Sequence, residues 1–174
     1  MPESNTPTNS QPDHDWQSQL HVDVNLMHDI DLDEGRLCEM VSKILADHEI
    51  KSAEISVAVV SDEQIHQLNK QYLAHDYETD VLSFNLGETG TAGLAGEVIV
   101  SADTAIRSAN ERGIKPTDEL ALYVIHGTLH LVGHDDKDEQ LRKRMRSAEL
   151  EYANLFGLQY CDPDQDSASA DGVV

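Results

Sequence analysis

The sequence predicts a single α/β (α+β) domain, a mixed sheet of about four strands flanked by helices. Three observations carry that prediction. Strand-type and helix-type runs alternate from Leu20 to Val60, two further strand-type runs follow before Ser101, and the chain beyond Ser101 is helical with recognisable starts and stops. A chain of 174 residues is one domain long, enough for one core and too short for two.

The elements follow in order. "LHVDVNLM" (20–27) alternates apolar and polar residues as a half-buried strand does. In "DEGRLCEMVSKILADHE" the apolar residues Leu37, Met40, Val41, Ile44 and Leu45 recur at helical spacing. "AEISVAVV" (53–60) is β-branched and largely apolar, the pattern of a central strand. "SDEQIHQLNKQYL" opens with Ser61 and a glutamine three residues later, a capping box, and carries Ile65 and Leu68 on one face. "DVLSFNL" and "GEVIVS" are strand-type runs separated by the glycine-rich "GETGTAGLA", a hairpin connection or a surface loop. A helix then runs to Gly113, and Thr117 is available to cap the next one, with Asp118 and Glu119 in its first turn and Gly133 as its stop. The last helix spans about Asp138 to Phe156 and ends at Gly157.

Both ends of the chain differ from this middle. Residues 1–18 are rich in Pro, Ser, Thr, Asn and Gln, and residues 161–174 are acidic and small, so neither buries enough apolar area to offset the entropy of ordering. Both are expected to be disordered tails around a domain at 19–160. The net charge is −21, and all 12 basic residues lie between Arg36 and Arg146. That balance excludes strong nonspecific attraction to nucleic acid, which depends on Lys and Arg displacing counterions, but leaves room for a local basic groove. Arg107, Arg112 and Lys115 form one candidate, and Arg142, Lys143, Arg144 and Arg146 another; a solvated helix face is the alternative for each. Cys38 and Cys161 have no metal-ligand spacing and read as reduced thiols of a cytoplasmic protein. No apolar run approaches the roughly 20 residues of a membrane helix.

The chemistry concentrates in "HGTLHLVGHDD" (126–136). His126 and His130, four residues apart on a helix, lie one turn apart on one face and can share an ion. Gly133 permits a sharp helix exit, and Asp136 follows three residues later, so the chain can turn back toward the imidazoles. HxxxHxxGxxD has the spacing of the metzincin zinc site, whose three ligands leave a fourth position open. The metzincin pattern also places a glutamate after its first histidine as general base, and here Gly127 stands there, which weakens a peptidase reading. A phosphodiester reaction can differ, because a metal can polarise a phosphoryl oxygen and RNA carries its own 2′-hydroxyl nucleophile.

"HGTLHLVGHDD" resembles the HGxLHLxGYDH signature of the YbeY family of bacterial endoribonucleases and rRNA maturation factors. "LNKQYLAHDYETDVLSFNL" (68–86) is similar to that family's LNxxYR…TDVLSFP segment, and "GEVIVS" (96–101) to its GDIxIS strand; together these cover roughly Glu54 to Glu149. The resemblance implies one α/β domain with a zincin-like metal site at the end of a long helix. It implies a single-strand-specific, metal-dependent endoribonuclease in the cytoplasm, acting on the 16S rRNA precursor in 3′-end maturation and ribosome quality control. The implied partners are RNA and the ribosome or its small subunit with assembly proteins.

By the same resemblance His126 and His130 are the first two zinc ligands. Asp136 stands at the place of the family's third histidine and is the expected third ligand and member of the catalytic group. A carboxylate weakens zinc as a Lewis acid and makes Mn²⁺ or Mg²⁺ more admissible. His134, at the family's tyrosine position, and Asp135 are the competing ligands; Asp136 is preferred because its offset from Gly133 matches the three-ligand turn. Leu73 stands where the family carries an arginine that contacts RNA, so that part of the resemblance has no counterpart there. His75 is a candidate donor or a plain surface residue. Asp80 is a candidate acceptor for a ligand histidine or a turn cap, and Ser83 and Asn85 suit a groove wall as well as ordinary strand ends. Two other function classes stand beside the nuclease: a non-catalytic ribosome-assembly factor with a structural zinc, and a metallopeptidase.

Overall fold

The computed structural model describes residues 19–73, 79–88 and 93–160. The two expected tails, Cys161 and His75 lie outside these residues. The elements are β1 (Gln19–Leu26), α1 (Glu34–Asp47), β2 (Ser52–Val60), α2 (Asp62–Leu73), β3 (Val81–Glu88), β4 (Leu94–Ser101), α3 (Ala102–Arg112), α4 (Pro116–Leu131) and α5 (Glu139–Leu155). The four strands form one mixed sheet in the order β1-β2-β4-β3. β1, β2 and β4 run parallel, and β3 pairs antiparallel with β4 at the edge, with a register shift between Asn85 and Gly87. The sheet class and strand number agree with the sequence expectation; β3 and β4 pair antiparallel, and residues 89–92 of the glycine-rich stretch between them lie outside the described residues.

Strand β2 explains how two layers form. Its alternate residues point to opposite faces. Val57 and Val59 join the larger apolar cluster with α1 and α4, while Ala58 and Val60 join a smaller one with Ile65 of α2, Leu82 and Ile99. On α1 the five residues picked out by helical spacing, Leu37, Met40, Val41, Ile44 and Leu45, are the ones buried. Fully burying each such side chain contributes about 1.5–3 kcal/mol. The charged residues of α1 consequently face outward.

Local chemistry sets the helix ends. Asp33 caps α1 by accepting from the Arg36 amide at 3.0 Å. In the α2 capping box the Ser61 amide donates to Gln64 Oε1 at 2.9 Å and the Gln64 amide to Ser61 Oγ at 3.3 Å. Ser101 caps α3, and Gly113 ends it in the left-handed region with φ 69°. Thr117 does not cap α4. Lys115 occupies that position without a side-chain bond, and Pro116 takes the first helical place, where its fixed φ and missing N–H cost nothing. Asp138 caps α5 through the Leu141 amide at 2.8 Å.

Asp62 ties α2 to α3. Its carboxylate accepts from Ser101 Oγ, from Thr104 Oγ1 at 2.7 Å and from Arg107. Burial raises the Asp62 pKa, and these donors outweigh it, holding the group below the usual carboxylate value. A depressed folded-state pKa contributes stability present above the unfolded value, near 3.9, and lost as pH falls through the folded one. Asp62→Asn is therefore expected to unfold at lower urea than the parent at pH 7, by about 1–3 kcal/mol, with the gap closing as pH falls below 4. A gap that stayed constant in urea titrations from pH 7 to pH 3 would show that the carboxylate charge contributes nothing.

Candidate metal centre

α4 is the buried helix of the fold, and its last turn carries the site. The residues Leu120 to Ile125 and Gly127 to Leu129 are buried, while His126 and His130 reach partial exposure on one face. The helix closes as the Val132 and Gly133 amides bond back to the last carbonyls and the His134 amide donates to Leu129 O at 3.0 Å. Gly133 has φ 100°, a conformation that L side chains rarely adopt, and it turns the chain back over the helix end. Asp136 thereby returns to the two histidines.

Among the described residues one group of three potential ligands comes together: His126, His130 and Asp136, with ligand atoms within 4.8 Å of one another. The two histidine Nε2 atoms are 3.0 Å apart, and Asp136 Oδ2 lies 4.0 Å from each. A point equidistant from these three atoms is about 2.2 Å from each, the length of a zinc–nitrogen or zinc–oxygen bond.

Hydrogen bonding at the far side of each ring fits the same use. His126 Nδ1 is 2.6 Å from Glu149 Oε1, and His130 Nδ1 is 3.0 Å from the His134 carbonyl oxygen. Both partners accept, so both Nδ1 atoms carry the proton and both Nε2 atoms turn lone pairs toward each other and toward Asp136. Two facing lone pairs and a carboxylate are the electron-donor set that a cation satisfies.

Burial lowers the His126 pKa, but the Glu149 hydrogen bond and charge, with Asp80 and Asp136, more than offset it and leave the pKa above the ordinary value. Glu149, 23 residues away on α5, is the acceptor that orients this ring. Asp80 instead serves its own turn, accepting from the Val81 amide at 2.9 Å and from Thr79 Oγ1. No local pattern announces Glu149; only helix packing brings it there. If the group holds a metal ion, Glu149→Gln is expected to weaken its binding about 10–100-fold in a chelator competition while leaving the unfolding midpoint near that of the parent. Unchanged affinity would remove Glu149 from the site.

The other candidates have definite places. His134 turns its imidazole away from the group: its Nε2 is 3.0 Å from His48 Nε2, the rings meet edge to face, and only its carbonyl oxygen serves His130. Burial, with His48 and His130 nearby, holds its pKa below the ordinary value. Asp135 pairs with Lys137 at 2.9 Å. Ser83 Oγ donates to the Gly127 carbonyl at 3.0 Å, fastening β3 to α4, and Asn85 Oδ1 accepts from the Gly87 amide at the strand irregularity. Leu73 is the last residue of α2. Burial, with Asp23 and Glu34 nearby, pushes the Cys38 thiol pKa up.

Gly127 faces the sheet. A Cβ there would lie 2.6 Å from Val98 Cγ1, 2.9 Å from Ser83 Oγ and 3.0 Å from Val81 Cγ2. The helix sits too close to β3 and β4 for any side chain, and its glycine points away from the metal-ligand group.

Beside the group opens a cavity of about 600 Å³. His126, Asp136 and Glu149 form part of its lining, and Arg107, Arg112, Arg142 and Arg146 another part. Both basic clusters of the sequence thus contribute to one wall, except Lys115, Lys143 and Arg144. Among the described residues no helix is long and apolar enough to cross a membrane.

Fold and site together define an α/β protein whose buried helix and the turn beyond it carry a His/His/Asp group that could hold a metal ion, beside a cavity lined by four arginines and four carboxylates. The family model described as Endoribonuclease YbeY matches residues 23–157, and the chain belongs to that family. Endoribonuclease YbeY of Rhodopirellula baltica is 43% identical over 117 residues, which cover 66% of this chain and 60% of that protein. Endoribonuclease YbeY of Carboxydothermus hydrogenoformans is 35% identical over 138 residues, 78% of this chain and 96% of that one. The solution structure of TM1509 from Thermotoga maritima aligns with a TM-score of 0.48 and 26% identity, over 87% of this chain and 99% of that one.

Proposed function

We propose that this protein is a metal-dependent endoribonuclease that cuts single-stranded RNA, with the 16S rRNA precursor on the ribosome or its small subunit as its cytoplasmic substrate. The observation that carries the reading is the His126/His130/Asp136 group, two members of which line a cavity that also holds four arginines, in a member of a family named for RNA cleavage. Two imidazole nitrogens and one carboxylate oxygen suit one zinc per chain and admit Mn²⁺ or Mg²⁺. When bound, the metal supplies Lewis-acid polarisation of a phosphoryl oxygen. The chain's own part is positional. Glu149 and the His134 carbonyl hold the two rings so that their Nε2 atoms converge, and Gly133 returns Asp136 to them. The arginines of the cavity lining offer local contacts for phosphate in a protein whose net charge of −21 otherwise repels a polyanion. Gly127, pressed against β3 and β4, offers no carboxylate for peptide hydrolysis, which counts against the metallopeptidase.

Purified protein loaded with zinc is expected to cut the single-stranded 3′ end of precursor 16S rRNA and to spare a duplex of the same sequence. A chelator should stop the reaction and added zinc restore it. Asp136→Ala should lose the metal by elemental analysis, whereas His134→Ala should keep it. Full occupancy with no cleavage, together with normal 16S maturation in cells whose copy carries His126→Ala and His130→Ala, would leave the assembly-factor reading in its place. Full metal in Asp136→Ala and none in His134→Ala would reverse the ligand choice.

A further inference from the structure

Four of the chain's six arginines line the cavity that also contains His126 and Asp136. In a molecule of net charge −21 these four guanidinium groups equal in number the carboxylates of the same lining, Asp80, Glu119, Asp136 and Glu149. Two of the four are committed to carboxylates of the fold. Arg112 Nη1 lies 2.6 Å from Glu119 Oε1, whose side chain is 1% exposed, and Arg107 pairs with Asp62 across the α2–α3 junction. Of those carboxylates, Glu119 is engaged by Arg112, Glu149 by His126 and Asp80 by the Val81 amide, while Asp136 belongs to the candidate metal group.

The other two arginines stand on α5. Arg142, Arg146 and Glu149 are spaced i, i+4 and i+7, so they share one helical face. At its far end that face carries the carboxylate that holds His126, and the backbone positions of the two arginines are ~6 Å apart along the axis. Arg146 keeps an interaction within the protein, which restrains it. Lys143 and Arg144, on the same helix, do not line the cavity, and Lys143 pairs with Glu139 at 2.7 Å.

We propose that Arg142 and Arg146 form a phosphate-binding subsite, taking up backbone phosphate of the RNA strand next to the one held at the His126/His130/Asp136 group. This rests on the endoribonuclease reading and deepens it. Guanidinium suits the role because its planar fork matches phosphate oxygens in pairs. A backbone contact carries no base preference, so the subsite serves affinity and register rather than sequence choice.

The test compares Arg142→Gln/Arg146→Gln with Lys143→Gln/Arg144→Gln, which removes the same charge from the same helix outside the cavity. Binding of a fluorescent single-stranded oligoribonucleotide is followed by anisotropy, and cleavage by kcat and KM, across a salt series with metal content checked. The cavity pair should raise Kd and KM about tenfold or more, with kcat and metal content little changed. Its log Kd against log salt should flatten by roughly 1.4, about 0.7 for each phosphate of a single strand that is no longer neutralised. The control pair should stay within about twofold of the parent. Arg142→Lys/Arg146→Lys should recover most of the salt slope, and it tests the subsite independently should the glutamine pair fold poorly. Equal losses in both glutamine pairs, or none in the cavity pair while the parent cuts RNA, would overturn the subsite and leave the nuclease reading standing. A parent that cuts nothing but binds the strand through Arg142 and Arg146 would retain the subsite and reject the nuclease. A parent that neither binds nor cuts would reject both.

Discussion

His126→Ala is expected to abolish metal retention and RNA cleavage together. The substitution removes one of three donors and leaves Glu149, which now accepts from the ring at 2.6 Å, facing an empty space. A two-donor remnant of His130 and Asp136 lacks the third protein ligand of a catalytic zinc site. Elemental analysis should fall from about one metal ion per chain to near zero. Single-turnover cleavage should drop about a thousandfold or more, since metal polarisation of a phosphoryl oxygen is worth several kcal/mol. The ring is partly exposed, so the fold should persist, with a urea midpoint close to that of the parent. A folded His126→Ala protein that held a full metal ion and cut RNA at the parental rate would remove this residue from the centre.

The second large effect is at Gly127. Alanine at a helix interior position normally gains about 1 kcal/mol over glycine. Here the added Cβ would meet Val98 Cγ1 at 2.6 Å and Val81 Cγ2 at 3.0 Å, and β-branched side chains have little freedom to yield. Gly127→Ala is therefore expected to destabilise the protein by about 1–3 kcal/mol in urea unfolding, the reverse of the propensity. Gly127→Glu, which writes the peptidase pattern into this helix, adds a carboxylate with no partner between helix and sheet. It should cost about 4 kcal/mol or more, a large part of a typical domain's roughly 5–15 kcal/mol, and yield no casein cleavage. A Gly127→Glu protein as stable as the parent would show that the helix can move off the sheet.

Much of the molecule was legible because it is decided locally. The apolar spacing of Leu37 to Leu45, the Ser61–Gln64 box, the glycines that end α3 and α4 and the i, i+4 pair His126/His130 act within a turn or two of chain, and the fold follows them. Thr117 failed as a cap for an equally local reason, the proline before it. Local pattern was enough for the elements, the mixed four-stranded class and the placing of His126, His130 and Asp136 near one another.

What the tertiary structure decided joins residues far apart in the chain. It puts Glu149, 23 residues on, against His126, and the His134 ring against His48, 86 residues back. It turns Gly127 onto β3 and β4, and it gathers arginines of α3 and α5 into one wall. The physical reason is the same in each case. Periodicity says which face of a helix is apolar, but which neighbour that face meets depends on strand order and helix packing, and those are settled by the whole core at once.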